Sequence, residues 1–389
     1  MISPLNPNIH NLFITGCYRS GTTVVEKILN MHPRVTVGSQ PFPIFYFLVK
    51  ERFLREHGLE RRYPLDHLFL EDGYTGEALR LWLDNAALTA ADLERFWDEM
   101  TGYTRGLWTP EMLQFRGQIA SGSVWTVYRA LNTAVAALFP KPDAAFVGSK
   151  EILTEEYIPW LLSKGVKVIN VVRDPRGMIA SLNFRDRDNL TGDHRPILYS
   201  LRAWRKSVAF SFGWEAHPGF LWLRYEDLAA DPEPMLQRLT GFLRLEDFAL
   251  DAFKAGIYDQ WGKLWKGNSS FDERLGISDA SIDKWRRVLP GKVMAFIEAC
   301  CRPEMTTLGY DFESSESFDE SAITGYIEPF PVVHAKFLPG YSVAPKRQQA
   351  EIQRWNLLTN VEELTEDEAR RWFINRRAYL RLRAMKAVR

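Results

Sequence analysis

The sequence predicts an α/β protein with a P-loop-like, three-layer fold: a central parallel sheet flanked by helices, with a large helical insertion and a C-terminal extension. Two strand-loop-helix units and a helical stretch between them predict it. In the first unit Leu12-Phe13-Ile14 is an apolar run ending at Gly16, and Val24, Val25, Ile28 and Leu29 follow at helical spacing. In the second, Lys167 to Val172 is a β-branched strand, Arg173-Asp-Pro-Arg-Gly177 a turn, and Met178, Ile179 and Leu182 return to helical spacing. Apolar strands that alternate with helices belong to a parallel sheet covered on both faces.

The turn of the first unit, Gly16-Cys-Tyr-Arg-Ser-Gly-Thr-Thr23, is close to a nucleotide-binding P-loop. The nucleoside-triphosphate form places a lysine directly after the last glycine; here that position is Thr22, and the cation is Arg19. Backbone amides from Arg19 to Thr23 then surround an anion at a helix N-terminus, where orphan N–H groups and the helix dipole favour negative charge. Ser20, Thr22 and Thr23 add hydroxyl donors. A glycine-bearing turn with capping hydroxyls is the plain alternative. Arg173 closes the second strand at its C-terminal end, where open α/β sheets place ligands. Ser181 follows about two helical turns later. Two such corners on neighbouring strands call for a ligand with two separated phosphate-like groups.

Composition bounds the function. The 389 residues are 46% apolar and 25% charged, with a formal net charge of zero. Such a balance fits a globular chain and argues against nucleic acid as a partner. No apolar run approaches the ~18 residues of a membrane span; the longest, Phe42 to Val49, suits a buried segment. Residues 1–11 show neither the charged start nor the apolar stretch of a signal peptide. Cys17, Cys300 and Cys301 make neither a disulfide framework nor a zinc set, so a cytoplasmic location is expected.

Together these segments resemble the sulfotransferase superfamily, which uses 3′-phosphoadenosine 5′-phosphosulfate. Tyr18-Arg-Ser-Gly-Thr-Thr23 is similar to its 5′-phosphosulfate loop, in the arginine form typical of bacterial and carbohydrate or tyrosine enzymes. Arg173-Asp-Pro-Arg-Gly-Met-Ile-Ala-Ser181 resembles its 3′-phosphate element, whose first Arg and final Ser hold that phosphate. Leu223-Arg-Tyr-Glu-Asp-Leu228 with Asp231-Pro232, and Trp285-Arg-Arg287 with Cys301 and Leu308-Gly-Tyr310, resemble later elements, so the likeness runs from residue 11 to about 312.

The resemblance implies transfer of a sulfuryl group to a hydroxyl of a glycan, lipid or small molecule, with adenosine 3′,5′-bisphosphate released and no metal required. Donor-binding residues are then Arg19, Ser20, Gly21, Thr22, Thr23, Arg173, Ser181 and Tyr225, the last near adenine, with Asn268 and Ser269 from a segment that relatives close over the nucleotide. Lys266 belongs to the same segment. Arg19 stabilises the leaving group and, always charged, cannot be the base. Phe146-Val-Gly-Ser-Lys-Glu-Ile152 resembles the family's Gly-x-Lys-Thr-Pro segment, whose lysine reaches the transferring sulfonate, which makes Lys150 a second electrostatic catalyst. Glu151, standing where the family has Thr, is either a general base or the salt-bridge partner of Lys150. In tyrosine-sulfating relatives a glutamate follows a His-Pro like His32-Pro33, but the position here is Gln40. An amide cannot accept a proton at neutral pH, so Gln40 joins the substrate pocket. His32 reads as a helix-end residue. Asp66 and His67 are other sources of a base, and His67 and Trp108 are acceptor-site residues. A P-loop kinase and a non-catalytic nucleotide-binding protein are the alternatives.

Residues 1–312 form the expected catalytic domain, with a helical insertion at about 41–140 that carries Trp82, Trp97, Trp108 and Trp125 for acceptor stacking or core packing. Residues 183–200, with Arg185, Arg187 and Arg195, read as an exposed loop or a lid beside the second phosphate site. Residues 313–389 are an extension: an acidic, serine-rich linker, a Pro-punctuated stretch, and two helices. The last helix opens on the capping box Thr365-x-x-Glu368 and runs through Leu382. It packs on the core, forms a homodimer contact or gates the acceptor site.

Overall fold

The computed structural model describes residues 8–59, 74–103, 109–184, 195–248, 256–267, 279, 282–330, 345–360 and 363–384. Its centre is a parallel sheet built from β1 (His10–Gly16), β2 (Val35–Ser39), β5 (Phe146–Lys150), β6 (Lys167–Val172) and β7 (Phe220–Arg224), in the order β2-β5-β1-β6-β7. The chain leaves β1 in one direction to build β2 and β5, and in the other to build β6 and β7. The C-terminal end of β1 is therefore the switch point at which an open α/β sheet opens a crevice. Register brings the flanks level with that point: Ile14 pairs with Lys150, Gly16 with Val171, and Ser39 with Lys150.

Side chains of β1 alternate between two apolar layers. Leu12 and Ile14 pack with α1 (Thr22–Met31), α9 (Tyr225–Ala230) and α10 (Pro232–Leu243), while Phe13 points to the opposite layer. That layer holds α2 (Pro43–Glu56), α3 (Gly76–Asn85), α4 (Ala90–Gly102), α5 (Val124–Leu138) and α6 (Ile158–Ser163). Between α3 and α5 the short strands β3 (Ala87–Leu88) and β4 (Gly122–Ser123) pair antiparallel. Among the described residues the insertion is thus mostly helical, and its tryptophans divide: Trp97 is buried among core side chains, Trp125 stacks on Tyr128 and is half-buried, and Trp82 donates to Glu56.

A third layer joins α7 (Pro175–Asn183), α8 (Ile197–Trp214) and the helix Gly291–Leu308 to the C-terminal helices. Ala369, Phe373, Ala378, Tyr379 and Leu382 are buried in this core, so the last helices spend their apolar faces inside the chain. The expected single last helix is broken. Helix Glu366–Phe373 starts at the Thr365 capping box, Ile374 takes φ 73°, and a new helix, Arg376–Ala384, begins where the Asn375 carboxamide accepts from Ala378 N–H. Asn375 also donates to Ala209 O of α8, and this tie holds the break in place. The acidic segment after residue 312 is likewise anchored: the Glu298 carboxylate accepts from the N–H groups of Glu313 and Ser314.

Candidate functional site

The turn after β1 has the backbone of an anion-binding loop. Ser20 donates its hydroxyl to Cys17 O at 2.8 Å, Arg19 adopts φ 55° and Gly21 φ 96°. The first helical bond of α1 runs from Val25 N–H to Gly21 O, leaving the amides of Thr22, Thr23 and Val24 at an open helix end beside two buried threonines. Only glycine fits at 21: its φ is left-handed, and a Cβ there would overlap Cδ2 of Tyr225.

Three other elements converge on this turn. The Arg19 Nε–H donates to Ser181 Oγ on α7 at 2.8 Å, and Arg173, just past β6, donates through Nη1 to Arg19 O at 3.1 Å. The Arg173 guanidinium lies 4.7 Å from the Tyr225 ring centre, so Tyr225 is sandwiched between that cation and Gly21. Supporting contacts fix this corner. Asp174 caps α7 and pairs with Arg176, the Asp174 N–H donates to Glu226, and Trp204 Nε1 of α8 donates to Arg173 O at 2.7 Å. At the foot of the 185–194 segment, the Arg195 guanidinium lies 4.1 Å over the Tyr18 ring.

Across β1, the end of β5 brings Gln40, Lys150 and Glu151 together. Gln40 follows β2 in a left-handed conformation (φ 44°), donates its N–H to Lys150 O at 2.8 Å and presents Oε1 to Lys150 Nζ at 3.4 Å. A non-glycine residue held at positive φ by the surrounding strands is stored strain of the kind found at functional sites. Burial pushes Lys150 down to about 8, against the pull of Glu26 and Glu151. It pushes Glu151 up to about 8, against Lys150 and the Phe42 N–H that donates to Glu151 Oε1 at 3.3 Å. The two side chains therefore hold their charges weakly.

Glu26 is the residue that the sequence reading missed. Phe146 of β5 packs in the α1 layer and Val147 in the opposite one, so the two-residue period sends Lys150 to the α1 side. There the Glu26 carboxylate accepts from Asn30 at 2.6 Å and Lys27 at 3.2 Å, while its Oε2 is buried with no hydrogen-bond partner, and it attracts Lys150. No local signal in the sequence marked it: Glu26 stands beside Lys27 on a helix that also carries Thr22, Thr23 and Asn30, and so looks like part of a polar face.

The remaining sequence expectations divide. His32 caps the end of α1, with its ring against Glu246 O and the Arg34 N–H, as a helix-end residue does. Lys266 is exposed on the Gly256–Gly267 segment. Asp66, His67, Trp108, Arg185, Arg187, Asn268 and Ser269 lie outside the described residues. Among the described residues no group of three or more His, Cys, Asp or Glu side chains is placed to hold a metal ion, and no helix is long and apolar enough to cross a membrane.

Comparison with known proteins bears on this geometry directly. The family model described as Sulfotransferase family matches residues 11–249, which takes in the β1 turn, Lys150, Arg173, Ser181 and Tyr225. The chain belongs to the sulfotransferase family. It is 32% identical over 178 residues to carbohydrate sulfotransferase 1 of Homo sapiens, covering 39% of this chain and 40% of that protein. It is 27% identical over 162 residues to carbohydrate sulfotransferase 3 of Tetronarce californica, covering 37% and 36%. The match thus spans well under half the length of these sulfotransferases. Among solved structures, the sulfotransferase domain from the curacin biosynthetic pathway overlays with a TM-score of 0.43 at 16% identity, covering 80% of this chain and all of that one. The sulfotransferase domain from the Synechococcus PCC 7002 olefin synthase gives 0.42 at 20% identity, covering 80% and 98%.

Proposed function

We propose that this chain is an enzyme that moves a sulfuryl group from 3′-phosphoadenosine 5′-phosphosulfate to a hydroxyl acceptor and releases adenosine 3′,5′-bisphosphate. The observation that carries the reading is the pair of cationic corners at the ends of β1 and β6, joined by Arg19 donating to Ser181 and Arg173 donating to Arg19 O. A ligand with two separated phosphates suits such a pair of corners, and Tyr225 braces both of them, packed against Gly21 and under the Arg173 guanidinium.

When bound, the donor supplies an activated sulfuryl group on a phosphate leaving group. The chain's own residues supply position and charge. Thr22, Thr23 and the open amides of α1 hold the 5′-phosphate, and Arg19 neutralises the charge that grows on it. Arg173 and Ser181 hold the 3′-phosphate. Lys150 reaches the transferring group from β5, Gln40 orients the acceptor hydroxyl, and Glu151 takes its proton. With a carboxyl next to Lys150, the Gln40 amide has no need to act as the base. The matched relatives are carbohydrate sulfotransferases, which makes a sugar hydroxyl the acceptor to test first. Three buried free thiols suit a reducing compartment, and a cytoplasmic setting is part of the proposal.

Isothermal titration decides the donor. Binding of adenosine 3′,5′-bisphosphate with no binding of ATP supports the reading; the reverse makes the chain a P-loop kinase. Turnover of the phosphosulfate donor against a panel of sugars, phenols and alcohols then separates an enzyme from a nucleotide-binding protein.

A further inference from the structure

The peptide group between Arg173 and Asp174 is gripped at both ends. Its carbonyl accepts from Trp204 Nε1 of α8 at 2.7 Å, and its N–H donates to Glu226 Oε1 of α9 at 2.8 Å. A peptide group is rigid, so fixing its plane fixes the direction in which the Arg173 side chain leaves the end of β6. Glu226 is buried and is itself held, since its second oxygen accepts from the Tyr310 hydroxyl at 3.0 Å. A buried carboxylate one peptide away from a phosphate-binding arginine opposes anion binding by its charge. Its presence there calls for a geometric reason.

The other end of the turn is fastened by a second carboxylate. Arg176 is only 2% exposed, and its charge is spent inside the protein. Its Nη2 donates to Asp174 Oδ2 at 2.7 Å, its Nη1 donates to Glu298 Oε1 at 2.7 Å, and its guanidinium lies 3.9 Å from the centre of the Trp285 ring. Arg176 therefore ties the turn to the helix Gly291–Leu308, where Glu298 is fully buried. That carboxylate is shared. It also accepts from the N–H groups of Glu313 at 3.0 Å and Ser314 at 2.9 Å, so the first residues of the C-terminal extension rest on the group that holds Arg176.

We propose that Glu226 and Glu298 are positioning residues that hold Arg173 in place for a 3′-phosphate, and so set the preference of this chain for a 3′-phosphorylated donor over the same nucleotide without that phosphate. The inference rests on the donor reading given above. Arg173 reaches the β1 turn by one hydrogen bond to the Arg19 carbonyl, whereas a 3′-phosphate takes its charge directly. Loosening the turn therefore costs the 3′-phosphate more than the 5′-phosphate. The two carboxylates differ in what an amide can replace. At position 226 one oxygen accepts from Asp174 N–H and the other faces a hydroxyl, so E226Q keeps both contacts with its carbonyl and amide. At position 298 both oxygens face N–H donors, so E298Q turns a donor against a donor.

The test is the ratio of affinities for adenosine 3′,5′-bisphosphate and AMP, measured by calorimetry on the whole chain carrying E226A, E226Q, E298Q or Y310F. In E226A and E298Q the ratio should fall about tenfold with AMP affinity kept, while E226Q should retain the wild-type ratio. Donor KM should rise in E226A and E298Q with kcat kept, because the interaction lost is one that ground and transition states share. If folded E226A and E298Q lose both nucleotides equally, or keep the wild-type ratio, the carboxylates are structural and the inference is overturned with the donor reading intact. Where these two variants do not fold, Y310F decides, since it keeps the ring and removes only the hydroxyl that holds Glu226: a ratio lower by about threefold supports the inference, and an unchanged ratio overturns it. If the wild type itself binds AMP as tightly as the bisphosphate, Arg173 and Ser181 hold no 3′-phosphate, and the donor reading falls together with the inference.

Discussion

The Arg19 guanidinium donates to the Ser181 hydroxyl at 2.8 Å, joining the turn after β1 to the helix after β6. Arg19 is thus aimed by the residue that closes the second anion site. Removing the Ser181 oxygen should affect both sites: S181A loses a donor to the ligand and one hold on Arg19. We expect bisphosphate binding to weaken by about tenfold in S181A, the scale of one hydrogen bond to a charged group. R19A should lower kcat by about 10² to 10³, the usual loss for one electrostatic donor at a developing charge. Calorimetry and steady-state kinetics measure the two. Unchanged affinity in S181A would detach Ser181 from the donor site.

Gly21 and Tyr225 form a contact that tolerates no side chain. G21A would place a methyl into the Tyr225 ring and force alanine to φ 96°. The variant should fold less stably and lose bisphosphate binding. Adding Y225A removes the overlap but not the backbone strain, so G21A/Y225A should regain melting temperature only in part. Full recovery in the double variant would show that sterics alone reserve this position for glycine.

The donor corners were legible because their signals are local. An apolar run, a glycine turn and an apolar helix predict β1, the loop and α1, and Arg173 follows its strand directly. Lys150 could be found by resemblance, although its burial depends on distant strands of the sequence meeting in register at Ile14 and Ser39. Glu26 could not be read the same way. An acid on a helix ordinarily marks the solvent face, and only the strand order shows that a buried lysine stands opposite. The break at Ile374 had a local signal in Asn375, an N-cap residue, but the apolar spacing from Trp372 to Leu382 continued across it and masked the cap.

Lys150 and Glu151 set a pH window. Burial lowers Lys150 to about 8, so its charge is lost as pH rises through that value. Glu151 is raised to about 8, so it becomes able to take a proton only as pH rises through the same value. Turnover that needs both charges should peak near pH 8 and fall on either side, and E151Q and K150A should each lower the peak. Stability should run the other way. Glu151, raised from 4.5, contributes stability that is lost between 4.5 and about 8, and Lys150, lowered from 10.5, contributes stability that is regained between about 8 and 10.5. Melting temperature against pH should therefore show a local minimum near 8 that E151Q flattens on its acidic side. A monotonic rise in wild-type stability through this range would contradict the buried pair.

The C-terminal helices bear on stability through one carboxylate. Glu351, on the helix Pro345–Asn360, enters the core of the third layer and bonds to Arg202 and Arg205 of α8. Burial alone would raise its pKa, but Arg205 and Arg202 outweigh that and hold it at about 2. All three groups are almost wholly shielded from solvent, so removing one of them is far more costly than breaking a surface bridge. E351A would leave the Arg202 and Arg205 charges in the core without this carboxylate and should destabilise the fold by about 3–5 kcal/mol. Arg202 and Arg205 lie on the same helix as Trp204, which holds the Arg173 carbonyl, so the damage has a route to the donor site. Chemical denaturation of E351A and E351Q measures the loss. E351Q should fall between wild type and E351A, because the amide still accepts hydrogen bonds but carries no charge. If E351A instead unfolds at the wild-type denaturant concentration, Glu351 adds nothing net, and the helix Pro345–Asn360 is held by apolar contacts such as Ile352 and Leu358 in the same core.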